Sequence, residues 1–221
     1  MYLLPRGKTV KEHLDTSKLK MPDAVQKMCS NHFSGYLSFD GAQGHGIIAF
    51  MTGQIVAALW KRYNSAKPQD RQCGELALQM IFSEVQRDEC LMGVYRLEDD
   101  FLPYVRQFCQ ATVEARNQLV DLLDVQRMMA RLKQEAFSGC LRLHNGERVE
   151  LIFYSEGSAL GFFCDGSMGL TDSVSITDSI VLDGKCKLDI LRANPTDDQN
   201  CHIRGVNLEK VWLQVWRELN P

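Results

Sequence analysis

The chain repeats part of its own sequence, and this repeat constrains the fold more than any other feature. The tripeptide Phe-Ser-Gly at residues 33–35 recurs at residues 137–139, 104 positions later. Aligned without a gap, residues 33–59 and 137–163 are identical at six of 27 positions, and most other apolar positions match in kind. Upstream of both tripeptides, apolar residues coincide at the spacing of a helix. We therefore predict two related units in tandem.

Each unit is predicted to be a short amphipathic helix followed by an antiparallel meander, because apolar runs alternate with tight-turn signals. Only the first unit shows a second helical pattern, over residues 74–86, and the second unit is about ten residues shorter at that place. The predicted first helices are 22–31 and 124–135. The predicted strands are 35–40, 46–51, 54–60 and 91–97, and 139–144, 148–154, 158–164 and 185–191.

Two more helices are predicted outside the meanders, over residues 99–117 and 207–219. The fold class is therefore α+β, with a first unit at 15–98, a connecting helix at 99–118, a second unit at 119–192, and a C-terminal loop and helix at 193–221. We expect the last helix to pack on the second unit, in place of the helix that this unit lacks.

The segment GAQGHG, residues 41–46, has the glycine content of a phosphate-binding loop. Its counterpart in the repeat is NGERVE, which has one glycine and two glutamates. An extended apolar run follows both segments, whereas a phosphate loop needs a helix N-terminus or a nest of amides. We interpret the segment as a hairpin loop.

Composition narrows the class of protein. Lys plus Arg is 25 and Asp plus Glu is 28, a net charge of −3, which argues against a nucleic-acid-binding protein. The first residues do not resemble a signal peptide, and no apolar stretch is long enough to span a membrane. We expect a cytoplasmic protein with all eight cysteines reduced.

The sequence offers little chemistry. It contains no C-x-x-C, H-E-x-x-H or G-x-S-x-G motif, and the histidines are not shared between the repeats. We expect no catalytic residue, cofactor or metal. Phe33 and Phe137 are predicted to be core residues, and the residues expected to contact a partner are Trp60, Arg62, Tyr63 and Trp216.

Three short motifs resemble the bacterial PATAN domain and related signalling-associated domains of unassigned function. They are Phe-Ser-Gly at 33–35, F-x-x-G-x-I-x-x-A at 50–58 and Gly-Glu-x-Ala at 74–77. The second copy is degenerate, because it lacks the third motif. The resemblance implies a non-catalytic adaptor of bacterial signalling, including two-component systems, with response regulators or other signalling proteins as partners.

Two other functions stay open. One is a regulator of a small GTPase of roadblock or longin type, which rests on fold analogy alone. The other is a small-ligand sensor or enzyme with a pocket between the units. A homodimer is open in each case.

Overall fold

The computed structural model describes residues 2–63, 70–87, 90–173, 179–194, 201, 203 and 205–220. The fold is α+β, as predicted, with two antiparallel sheets. The helices are α1 (Met21–Ser30), α2 (Gly74–Gln86), α3 (Leu102–Gln110), α4 (Val125–Gln134) and α5 (Leu208–Leu219). The strands are β1 (Lys8–Asp15), β2 (Gly35–Gly41), β3 (Gly44–Met51), β4 (Gln54–Arg62), β5 (Arg71–Cys73), β6 (Cys90–Arg96), β7 (Thr112–Leu119), β8 (Gly139–His144), β9 (Val149–Ser155), β10 (Ser158–Phe163) and β11 (Lys187–Arg192).

The two sheets have the same topology. The first sheet has the strand order β1-β6-β2-β3-β4-β5, and the second has β7-β11-β8-β9-β10. Each strand of the second sheet therefore has a counterpart in the first, and only β5 is additional. Both units begin with a strand, continue through a short helix and a meander, and close with a strand inserted between the first and second. Two tandem, related units are thus present.

Backbone detail supports the duplication more strongly than sequence identity does. Among the described residues, six non-glycine residues have positive φ, which is uncommon, and they form three pairs separated by 104 positions. They are His13 with Asn117, His32 with Ala136, and Thr52 with Glu156. The β3–β4 and β9–β10 pairings also contain a register shift at the same place, between residues 55 and 57 and between residues 159 and 161.

The repeated tripeptide joins the helix to the sheet through the same hydrogen bonds in both units, and we call it the hinge. In both units the Phe N–H donates to the last turn of the helix, and the Phe carbonyl accepts from the glycine of the β3–β4 turn or of the equivalent β9–β10 turn. The Ser hydroxyl accepts from the backbone N–H beside that glycine, at 2.9 Å in both units. The rings of Phe33 and Phe137 are buried, as predicted. The hinge explains why this tripeptide persists while the surrounding sequence has diverged.

The two sheets pack face to face. Their inner faces share one apolar core, into which α3 and the N-terminal residues Leu3 and Leu4 also pack. Helices α1, α2 and α5 cover the outer face of the first sheet. On the outer face of the second sheet, the corresponding core contains Leu132 of α4 and Ile180 of a short 3-10 helix, Ile180–Leu182.

The predicted helix over 99–117 is wrong beyond Gln110. Helix α3 ends there, and the exposed strand β7 follows at Thr112. The Arg71 guanidinium donates to the carbonyls of Phe108, Cys109 and Ala111, which satisfies the open end of the helix. The second unit therefore begins at β7 instead of at residue 119. The first unit begins at β1, which the sequence analysis did not predict.

Two further expectations are wrong. Helix α5 packs on the first unit, where Trp212 contacts Phe82 with ring centroids 5.4 Å apart and its carbonyl accepts from Gln86. Asn207 caps this helix, and Trp212 points inward. The cysteines are not all reduced, because a disulfide joins Cys73 to Cys201 across 128 positions. This bond ties the segment before α5 to the start of α2.

Candidate functional site

The outer side of the second unit carries an exposed apolar surface. We call this surface the open face and define it by Val125 and Met129 of α4, Ile152 of β9 and Phe162 of β10. Val125 and Met129 are 46% and 39% exposed, and the other two side chains are half-buried. Exposed apolar groups that recur on one side of a molecule indicate an interaction site more often than scattered ones do.

The first unit shows how unusual this exposure is. The residues 104 positions earlier are Met21, Val25, Ile48 and Ala58, and each is at most 1% exposed. All four belong to one core cluster, which also contains apolar side chains of α2 and α5. Over the ranges that the structure describes, the second unit has neither covering helix, and its equivalent residues are accessible. The two units therefore share the scaffold, and the difference in exposure arises from the helices that cover the first unit.

Helix α4 contacts the second sheet through Leu132 and Met128, although its outer stripe is exposed. Leu132 is fully buried, the Asp124 side chain caps the helix by accepting from the Arg127 N–H, and the Tyr154 hydroxyl donates to the Met129 sulfur at 3.5 Å. The open face is therefore displayed by an anchored helix and two paired strands. Such a surface can bind a partner with little ordering cost.

The structure separates the residues that were predicted to contact a partner. Trp60 is 1% exposed in the core of the first unit, so the predicted contact by this ring is wrong. Arg62 is exposed, and the Tyr63 hydroxyl donates to Asp40. Trp216 is 52% exposed on α5, away from the core. Contacts of Arg62, Tyr63 and Trp216 with a partner stay predictions.

Trp60 also explains the glycines of GAQGHG. This segment forms the β2–β3 hairpin, as predicted. A Cβ atom at Gly44 would lie 2.6 Å from the Trp60 indole, and one at Gly46 would lie 3.0 Å from it. The buried Glu84 of α2 accepts from the Gln43 N–H at 3.0 Å. The glycines make room for an indole and a helix. Trp60 pairs with a glycine, Gly46, on the neighbouring strand, and this pairing of a large aromatic residue with glycine could have indicated its burial.

Apart from the open face, a cluster of polar residues lies between the two sheets. We call it the polar layer: His45, Lys61 and Arg71 form one row across β3, β4 and β5, and Arg142, His144 and Asp189 face them from β8 and β11. Arg142 donates to Asp189 at 2.9 Å and to the carbonyls of Leu3 and Tyr2 at 3.1 and 2.6 Å. The layer thus holds the N-terminal residues between the sheets.

The charge state of the polar layer follows from burial. Burial lowers the pKa of both His45 and His144, which favours neutral imidazoles. Although burial opposes ionisation of Asp189, His144 and Arg142 keep the pKa of this carboxyl well below its usual value. Burial and the nearby Arg142 lower the pKa of Lys61 to about 8. Cations therefore predominate in this layer.

The cavity between the sheets is small. It has a volume of about 20 Å³, lined by Lys61, Arg142, Asp189 and their neighbours. A larger groove of about 330 Å³ lies beside α3, with Arg106, Met51 and Ile203 among its lining residues. Over the described ranges, no group of three His, Cys, Asp or Glu side chains is arranged to hold a metal ion.

No family model, curated protein or solved structure matches this chain. The resemblance to PATAN domains therefore remains a prediction from the three motifs. Among the described residues, none of the helices has the length and apolar character needed to cross a membrane.

Proposed function

We propose that this chain is a non-catalytic protein-interaction module, and that a helix of a partner protein covers the open face. The observation that carries this proposal is the contrast between Met21 and Val25, which are fully buried, and their equivalents Val125 and Met129, which are exposed. In the first unit, helices of the chain itself occupy the corresponding place. The open face fits the same kind of occupant.

The first unit also indicates what such a partner helix looks like. Helix α5 presents Val211 and Val215, four residues apart, to the core that contains Met21 and Val25. A partner helix with apolar residues at a spacing of three or four would cover Val125 and Met129 in the same way. The signalling role, the bacterial cytoplasm and response regulators as partners add to this proposal only through the PATAN resemblance.

Site-specific photo-crosslinking tests the proposal. A photoreactive amino acid at Met129 should capture a partner in the cell, whereas one at Gln134, on another side of the same exposed helix, should capture it rarely. With the purified partner, Met129→Glu should weaken binding at least about tenfold, equivalent to about 1.4 kcal/mol. Gln134→Glu should leave the affinity unchanged.

Three results would contradict the proposal. Equal crosslinking from both positions would remove the special role of the open face. Unchanged affinity of the Met129→Glu variant would do the same. Capture of a second copy of this chain would show that the open face forms a homodimer and does not bind a helix of a different protein.

A further inference from the structure

The small cavity in the polar layer is lined mostly by cations. Lys61, Arg71, Arg116 and Arg142 contribute to its wall, together with one carboxylate, that of Asp189. Apolar side chains complete the lining: Leu3, Phe108, Val113 and Leu191. Lys61, Arg71 and Arg142 thus lie close to one carboxylate at a junction between two sheets.

The hydrogen bonds of the Arg71 and Arg142 guanidinium groups do not balance this positive charge. Arg71 donates to three backbone carbonyls at the end of α3, and Arg142 donates to two backbone carbonyls and to Asp189. A backbone carbonyl carries only a partial charge, even at a helix C-terminus. Lys61, Arg71 and Arg142 therefore bring three positive charges against one full negative charge.

Among Lys61, Arg71 and Arg142, Lys61 has the fewest hydrogen bonds and ion pairs to compensate its positive charge. Its neighbours in strand register are His45 and Arg71, and its side-chain ammonium group makes no hydrogen bond or ion pair with another described residue. A partly buried ammonium group is costly when the one nearby carboxylate, that of Asp189, is already paired with Arg142. The depressed pKa of Lys61 reflects this cost.

A second polar group nearby is also unsatisfied. His144 is 3% exposed, and its Nε2 atom has no hydrogen-bond partner. The nearest charged atom is Asp189 Oδ1, at 3.5 Å. His144 and Arg142 are two positions apart on β8, so both side chains point towards the first sheet. The layer thus combines excess positive charge with polar atoms that lack partners.

We propose that this cavity binds one small monovalent anion of the size of chloride, which offsets part of the positive charge of Lys61 and the two arginines and strengthens the contact between the sheets. A volume of about 20 Å³ accommodates about one water-sized particle and excludes phosphate and larger metabolites. The site is independent of the open face, so it can be tested without knowledge of any protein partner.

The test is thermal unfolding of the whole chain at constant ionic strength, with sodium chloride or sodium bromide replacing sodium gluconate, whose anion is too large for the cavity. An anion that binds only the folded state raises the melting temperature with its concentration. We expect a rise of about 2 °C or more between 5 and 200 mM halide in the wild-type chain. Lys61→Met should abolish this rise. Lys27→Met, at an exposed position on α1, should retain it.

The wild-type titration decides the matter even where Lys61→Met does not fold. A melting temperature that is the same in halide and gluconate would overturn the proposal. A halide effect that survives in the Lys61→Met variant, or that disappears equally in the Lys27→Met variant, would show a general salt effect and would overturn it too.

Discussion

The first unit is closed on its outer side, whereas the second is open, although both have the same strand order and the same hinge. Helices α2 and α5 bury Met21 and Val25 in the first unit, and the equivalent Val125 and Met129 remain exposed in the second. The comparison separates two kinds of residue. The residues of the hinge and of the register shift in the β3–β4 and β9–β10 pairings define the scaffold in both units. Those on the outer faces differ, and there we place the interaction with a partner.

The largest predicted effect is on the shared hinge. Phe33→Ala and Phe137→Ala should each lower the free energy of unfolding by about 3–5 kcal/mol, because both rings are buried against an aromatic neighbour at 6.0 Å. Urea denaturation measures this loss. Phe162→Ala, in the half-buried open face, serves as a control and should cost less. A loss below about 1 kcal/mol in only one unit would show that the hinge is not equivalent in the two.

A smaller effect is predicted at the turn that receives the hinge. Gly53 and Gly157 both have φ of +80°, and a Cβ atom at these positions would lie 2.2 Å and 2.8 Å from the backbone of the preceding helix. Gly53→Ala and Gly157→Ala should each cost about 1–3 kcal/mol. Gly146→Ala also has positive φ but would meet no atom within 4 Å, so it should cost less. Equal losses at all three positions would attribute the effect to backbone strain alone.

The smallest predicted effect is a gain in stability. Ala136 has φ of +46°, in the left-handed region that disfavours alanine. Ala136→Gly should raise the free energy of unfolding by about 0.5–1 kcal/mol. Ala130→Gly, within α4, should lower it by about 1 kcal/mol, as glycine does inside an exposed helix. A loss of stability in the Ala136→Gly variant would contradict the pairing of this residue with His32.

Much of the scaffold could be predicted from the sequence, because hydrophobic alternation and turn residues determine it locally. The meanders, α2 and the hairpin role of GAQGHG follow from such patterns. Strands β1 and β7 could not be predicted, because most of their residues are polar and exposed and pair with strands distant in sequence.

The remaining differences arise from contacts over long sequence distances. The end of α3 depends on Arg71, more than 35 positions earlier, and the position of α5 depends on Phe82 and on the disulfide. The open face could not be predicted either, because Val125 and Met129 repeat with the spacing of a buried stripe. Only the absence of a covering helix distinguishes them from Met21 and Val25.

The most direct test of the account is a pair of equivalent substitutions, Val25→Asp and Met129→Asp, measured by urea denaturation of the whole chain. Val25 is fully buried, so a carboxylate there should cost about 3 kcal/mol or more, whereas the same change at the exposed Met129 should cost less than about 1 kcal/mol. A large difference between the two losses supports a shared scaffold with one covered and one open face. Equal losses would show that Met129 is covered in solution and would contradict the account.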